Sequence, residues 1–220
     1  MILTTFEPAG PYVGMLSIPR DLWVDLPGGP NRINAAYALG EAAHPGSGPQ
    51  AAVAAVRDNF GLDVDGYLVM EFDGFVRFVD ALGGVEIALP EAMGDFAPGR
   101  HRLAEAEALA FVRDRRGDDF FRMQHGQVLA RGLLSTALRP KTWPRLPLAA
   151  AALIGSIRTD VSVFEWPRIA ATLLRVGSDG IDGRVIGREM VQGFTSAGGA
   201  QVLAPDWSRI NPVLLEMFGQ

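Results

Sequence analysis

Between residues 67 and 89 the hydrophobic period of the sequence changes twice, and that limits the folds open to the chain. Residues 67–71 read as a short strand. Phe75, Phe78, Val79 and Leu82 then recur at helical spacing over residues 72–82, the Gly83-Gly84 pair supplies the glycine on which helices commonly end, and residues 85–89 form the next strand. Strand, helix and strand in about 25 residues predict a βαβ unit, and with it a sheet covered by helices.

The remaining segments fit the same α/β class. Residues 2–6 and 13–18 are apolar runs joined by Glu7-Pro-Ala-Gly-Pro11, a breaker-rich link that predicts a hairpin. Residues 34–43 and 50–60 read as helices separated by His44-Pro-Gly-Ser-Gly-Pro49. The second half is mostly helical: residues 104–112, 122–138, 146–157 and 164–176, then a strand at 184–188 and a closing helix after Asp206. Met123, Leu129, Leu133, Leu134 and Ala137 form an apolar stripe that predicts a core-facing helix. Residues 140–147 interrupt the chain but are too few for a domain linker. With 220 residues, 48% of them apolar, and no repeats, residues 1–220 are expected to be a single domain.

Composition removes several functions. A formal net charge of −5 argues against general affinity for nucleic acid or acidic membranes. Without cysteine there is no disulfide, thiolate chemistry or Cys-ligated metal. No run approaches the roughly 20 apolar residues of a spanning helix, and no signal-peptide pattern follows Met1, so the chain as written is expected to be soluble. Its first residues already look like strand interior, which suggests that it starts mid-fold. There is no G-x-S-x-G elbow, P-loop or dinucleotide fingerprint. His44, His101 and His125 lack metal-ligand spacing.

Positive charge is concentrated in Arg113-Asp-Arg115-Arg116-Gly-Asp118-Asp-Phe-Phe-Arg122. Guanidinium groups keep their charge and present paired donors that match phosphate oxygens. The stretch reads either as a diphosphate clamp or as a solvated helix end neutralised by its own aspartates.

Further motifs change that balance. Ser17-Ile-Pro-Arg20-Asp21 is followed by Asn31-Arg32-Ile-Asn34-Ala-Ala-Tyr37, by Val79-Asp80-Ala-Leu-Gly83-Gly84-Val85, by Leu103-Ala-Glu-Ala-Glu107-Ala-Leu109-Ala-Phe-Val-Arg113-Asp-Arg115, and by Asp118 and Arg122. In this order they resemble the LytR-CpsA-Psr family, also described as the cell envelope-related transcriptional attenuator domain. The resemblance implies an αβα sandwich with a mixed central β-sheet flanked by helices and an apolar cavity for a lipid tail. It implies a Mg²⁺-dependent phosphotransferase at the extracytoplasmic face of the cell membrane, moving an anionic glycopolymer from a polyprenyl-diphosphate carrier to peptidoglycan. No nucleic-acid reader is visible.

On this resemblance Arg20, Asp21, Arg113 and Arg115 are the catalytic candidates. Arg20, Arg32, Asn34, Arg113, Arg115, Arg122 and Gln127 are the substrate-binding ones. Arg20 follows Pro19, a rigid place from which to aim a guanidinium, and Asp21 either orients Arg20 or accepts the hydroxyl proton. Arg113 and Arg115 would face one way if the helix unwinds at Val112, and Arg122 would sit near the positive end of the next helix. Arg32 and Asn34 also read as supporting or turn-capping residues, Gln127 as a polar position on a core helix, and Asp80 as a helix-end residue.

Two departures accompany the match. The family's two magnesium-binding aspartates lie upstream of residues matched by this chain, so no metal ligand is assigned, and weak or absent transferase activity is expected from a chain lacking that N-terminal part. His125 stands where the family more often has arginine. The competing functions are a non-catalytic polyprenyl-diphosphate-binding or scaffold module of the cell envelope, and a diphosphate hydrolase.

Overall fold

The structure is a computed structural model that describes residues 1–114 and 119–219. The first elements are β1 (Ile2–Glu7), β2 (Tyr12–Ser17), β3 (Trp23–Val24), β4 (Asn31–Arg32), α1 (Ala35–Ala43) and α2 (Gly48–Phe60). Next come β5 (Leu68–Met70), α3 (Phe72–Leu82), β6 (Val85–Leu89), β7 (Gly99–Leu103), α4 (Glu105–Arg113) and α5 (Asp119–Leu138). A 3-10 helix at Pro140–Arg145 leads into α6 (Leu146–Leu153), β8 (Ile157–Thr159), α7 (Trp166–Val176) and β9 (Asp182–Val185). The chain closes with β10 (Val191–Thr195), β11 (Gln201–Pro205) and α8 (Trp207–Phe218). The fold is mixed α/β, as expected.

The chain packs as two compact units, one of Met1–Thr5, Gly14–Tyr67 and Arg184–Gln220, the other of Phe6–Val13 and Leu68–Gly183. Strands β1, β2 and β9 form a three-stranded sheet in the order β1-β2-β9, with the predicted turn joining the first two. In the first unit, Leu16, Ile18, Leu22, Ile33, Ile186 and Ile210 are fully buried and form one core with α2 and α8. Each such side chain contributes about 1.5–3 kcal/mol on burial, so the strand-to-turn segment Leu16–Leu22 is firmly anchored. Asp206 caps α8 by accepting the Ser208 N–H at 3.1 Å. The antiparallel pair β10–β11, in register from Val191↔Pro205 to Thr195↔Gln201, was not expected from the sequence.

In the second unit, among the described residues, β5 and β6 lie in separate sheets and the predicted βαβ crossover is not formed, although its helix and second strand lie where the sequence put them. β5 pairs antiparallel with β8 (Leu68↔Thr159, Met70↔Ile157), and β6 pairs antiparallel with β7 (Val85↔Leu103, Leu89↔Gly99). The partner of β6 is Gly-Arg-His-Arg-Leu, whose cations hid its strand character. That local antiparallel partner occupies one edge of β6, while β5 takes β8 as its partner instead.

Helix α5 also differs from expectation. Its most buried line is His125, Leu129, Gly132 and Thr136, whereas Met123, Leu133, Leu134 and Ala137 are only partly buried. The cause is close approach to β6. A Cβ on Gly132 would stand 2.7 Å from the Glu86 carbonyl oxygen, and the Glu86 N–H donates to the Thr136 hydroxyl at 3.1 Å. Small and polar residues therefore occupy the face that the apolar stripe was expected to fill. Among the described residues no helix is long and apolar enough to cross a membrane.

Candidate functional site

The motif residues fall in both units. In the first unit, the chain leaves β2 through buried Ile18 and Pro19, turns with the Leu22 N–H on the Pro19 carbonyl at 3.2 Å, and buries Leu22 completely. Arg20, between two buried anchors, is turned outward with half its side chain exposed. Asp21 is fixed through its backbone, because its carbonyl accepts the Leu203 N–H at 3.0 Å. One Asp21 oxygen lies 3.3 Å from Arg20 Nε and the other 3.2 Å from Arg32 Nε.

Strand β4 brings Arg32 to this place. It pairs with β3 through Trp23↔Arg32, and Arg32 Nη2 donates to the Gln201 carbonyl at 3.0 Å. The Asn34 N–H donates to the Arg20 carbonyl at 3.3 Å, while its exposed side chain makes no capping bond to α1. The structure thus groups Arg20, Asp21, Arg32 and Asn34, with one carboxylate between two guanidinium groups.

The second unit carries the other candidates. Arg113 is the last residue of α4, so the helix continues one residue past the predicted unwinding point. Its guanidinium lies over the Phe72 ring, 4.3 Å from the centroid. Phe72 opens α3 and also lines an apolar hollow of about 120 Å³ with Met70, Phe75, Leu109 and Val112. A guanidinium thus stands against one wall residue of an apolar hollow. Arg115 lies outside the described residues. Arg122 is half-buried in the first turn of α5.

Gln127 is buried on α5, its Oε1 2.8 Å from where a Gly183 Cβ would stand. Its neighbour Arg131 donates to the Ile181 carbonyl at 2.7 Å. Gln127 therefore faces the chain around Gly183. His125 is 1% exposed, with its ring stacked on Phe111 at 4.2 Å and Phe121 also 4.2 Å away. Its Nδ1 lies 2.7 Å from the Phe111 carbonyl oxygen, which makes that nitrogen the proton-bearing one. The residue in the family's arginine position thus ties α5 to the end of α4, two residues before Arg113. Sequence reasoning missed this role, although Phe111 and Phe121 precede the histidine by fourteen and four residues.

A larger hollow in the first unit, about 390 Å³ and lined in part by Glu189, Gln192, Trp207 and Arg209, contains none of the motif residues. Among the described residues no three His, Asp or Glu side chains group as metal ligands.

The fold is that of a mixed α/β protein whose motif arginines gather around Asp21 in the first unit and, in the second, include one stacked on a wall residue of an apolar hollow. The chain belongs to the LytR_cpsA_psr family, whose profile matches residues 1–210. It is 37% identical over 123 residues to the polyisoprenyl-teichoic acid–peptidoglycan teichoic acid transferase TagU of Oceanobacillus iheyensis, covering 54% of this chain and 38% of that protein. It is 32% identical over 157 residues to the regulatory protein MsrR of Staphylococcus aureus, covering 67% and 46%. The chain spans less than half the length of these relatives. The crystal structure of Bacillus subtilis TagV superposes with a TM-score of 0.79 over 99% of this chain and 88% of that one, at 24% identity. That of TagT bound to LI-WTA gives 0.77 over 100% and 84%, at 19% identity. These two superpositions speak for the fold.

Proposed function

We propose that this chain binds an anionic glycopolymer linked to a polyprenyl diphosphate and acts in its transfer to peptidoglycan, at the extracytoplasmic face of the cell membrane. The observation that carries this reading is Arg113 stacked on Phe72, one of the residues that line the apolar hollow. A free sugar phosphate needs no apolar wall, and a plain lipid needs no guanidinium; a lipid diphosphate needs both. The hollow is smaller than the roughly 300–1,000 Å³ of small-molecule pockets, so it would take only the part of the tail nearest the head. The relatives named as teichoic acid transferases support the reaction class.

In this reading an acceptor hydroxyl oxygen forms a bond to the phosphorus that carries the glycopolymer, and the bond from that phosphorus to the bridging oxygen breaks. The hydroxyl proton passes to water and the electron pair departs with polyprenyl phosphate. Negative charge develops on the phosphoryl and leaving oxygens, where fixed guanidinium groups stabilise it. Within the first unit Arg20 is the candidate for this role, with Arg32 and Asn34 as further binding candidates; within the second unit it is Arg113, with Arg115, Arg122 and Gln127 as further binding candidates. Asp21, with both oxygens on guanidinium nitrogens, acts as a positioning residue.

The test is binding and turnover with a polyprenyl-diphosphate-linked glycopolymer in the presence of Mg²⁺. Wild-type protein should bind it, and Arg113→Ala should weaken binding by about tenfold or more. Unchanged affinity in a folded Arg113→Ala protein overturns the site. Binding without release of polyprenyl phosphate identifies a non-catalytic module, and release without polymer on peptidoglycan identifies a hydrolase.

A further inference from the structure

Helix α3 ends under two guanidinium groups. Arg145 Nη1 donates to the Leu82 carbonyl at 3.1 Å, and Arg102 donates to the Gly83 carbonyl. Gly83 has a φ of +79°, and a Cβ there would collide with Arg145 and stand 3.6 Å from Arg102 Nη2. Two cations therefore share one helix end. The partial charge of a helix C-terminus, about −0.5, offsets only a fraction of theirs, and neither has a carboxylate within ion-pair reach among the described residues.

More positive charge surrounds them. Arg100 and Arg102 are two apart on β7 and so point to the same side; opposite them in register stand Ala88 and Glu86. Val85, Ile87, Leu89 and Leu103 turn into the core, leaving Arg100 and Arg102 on the exposed face. Glu86, the carboxylate of that face, already pairs with Arg139 and, at 3.1 Å, with Lys141. Asp80, exposed in the last turn of α3, pairs with neither Arg102 nor Arg145. Among the described residues, Glu86 is thus the one carboxylate paired with any of these five cations, in a chain whose formal net charge is −5.

We infer that this face, formed by β6, β7 and the 3-10 helix Pro140–Arg145, is a docking surface for a linear phosphodiester polymer. Each capping guanidinium spends one donor on a carbonyl, is held rigidly by it, and keeps further N–H groups directed outward for phosphate oxygens. Four of the five cations are arginines, the residue whose planar fork suits that anion. Trp143, about half exposed on the same 3-10 helix, adds a flat apolar surface beside the charge.

The polymer's identity as the glycopolymer of the proposed reaction rests on that reading; the anion-binding surface does not. The eleven residues of α3 place Phe72, which carries Arg113, roughly 15 Å from the guanidinium pair at Leu82. A polymer held at one end by its diphosphate head would find this second grip along its length.

The experiment titrates the full chain with a labelled, lipid-free oligo(glycerol phosphate), and separately with a short polyprenyl diphosphate that carries no polymer. Oligomer binding should weaken steeply with salt. The double substitution Arg100→Gln with Lys141→Gln, at exposed positions outside the core, should weaken it by about tenfold without changing affinity for the polyprenyl diphosphate. Glu86→Gln, which removes the carboxylate, should strengthen it. Oligomer affinity unmoved by both changes overturns the surface, as does binding to phosphatidylglycerol vesicles that the oligomer fails to displace, which would make this a membrane contact. If Arg113→Ala leaves polyprenyl diphosphate binding intact while the oligomer responds as stated, the proposed lipid-diphosphate site fails and this surface stands.

Discussion

Asp21 stands between Arg20 and Arg32, with one carboxylate oxygen 3.3 Å from Arg20 Nε and the other 3.2 Å from Arg32 Nε. A carboxylate in this place sets the direction of two cations and also lowers the positive potential that an anion meets. Those two effects separate in Asp21→Asn. Loss of orientation should lower kcat of the proposed transfer reaction by up to about 100-fold, the scale associated with small misplacements of reacting groups. KM for the diphosphate substrate should stay level or fall, because a negative charge has gone. Stability should change by less than about 1 kcal/mol, since the pairs are partly exposed. A rise in KM with kcat preserved would show that Asp21 does not act through the arginines.

Phe72 makes the second relationship testable. Phe72→Ala removes the face on which Arg113 rests, a contribution of about 0.5–1 kcal/mol at an exposed position, together with one wall of the hollow. Polyprenyl diphosphate should bind roughly fivefold more weakly, and a tail-less diphosphate should lose less. Phe72 is 53% exposed, so thermal stability should hardly move. Equal losses for both ligands would remove the hollow from the site.

Much of this arrangement is legible in the sequence, for reasons that specific residues show. Helix α3 and strand β6 fall at residues 72–82 and 85–89 as read, because Phe75, Val79 and Leu82 keep strict helical spacing and Gly83 closes the helix with a left-handed backbone. The grouping of Arg20 with Asp21 and Arg32 follows from two motifs close in sequence. Strand β7 was invisible because its exposed positions are arginines, and without it the βαβ reading was the natural one. Phe72 read as the start of a helix, and only the folded chain brings Arg113 above its ring. The buried face of α5 could not be found from hydropathy, since a glycine and a threonine were selected there by the approach of β6 and a histidine by its aromatic neighbours.

Gly132 gives that last point a measurable form. Alanine favours a helix over glycine by about 1 kcal/mol, so at an open site Gly132→Ala would stabilise α5. Here the new Cβ would lie 2.7 Å from the Glu86 carbonyl oxygen and 2.8 Å from Ile87 Cγ2, and the first of these is backbone that cannot rotate aside. Overpacking typically costs about 1–3 kcal/mol, which exceeds the propensity gain. Denaturant unfolding should therefore show net destabilisation by about 1 kcal/mol or more, with an unchanged denaturant slope. A stabilised variant would mean that α5 and β6 are further apart than described.

Glu86 connects the charged face to stability. Hydrogen bonds from Lys141 and then Arg139 hold its carboxyl below the usual range, more than offsetting the opposing effect of partial burial. A carboxyl with a lower pKa in the folded state than in the unfolded one stabilises the fold above its unfolded value, about 4.5, and that contribution is lost as the pH falls through the folded value. Lys141 is 63% exposed, so the stabilisation at neutral pH should not exceed about 1 kcal/mol. Unfolding of wild-type protein and of Glu86→Gln should differ by this amount at pH 7, and the gap should close between about pH 5 and pH 3. A gap that stays constant across that range would mean that ionised Glu86 gains nothing from its two cations, and the opposite charges on this face would then be uncoupled.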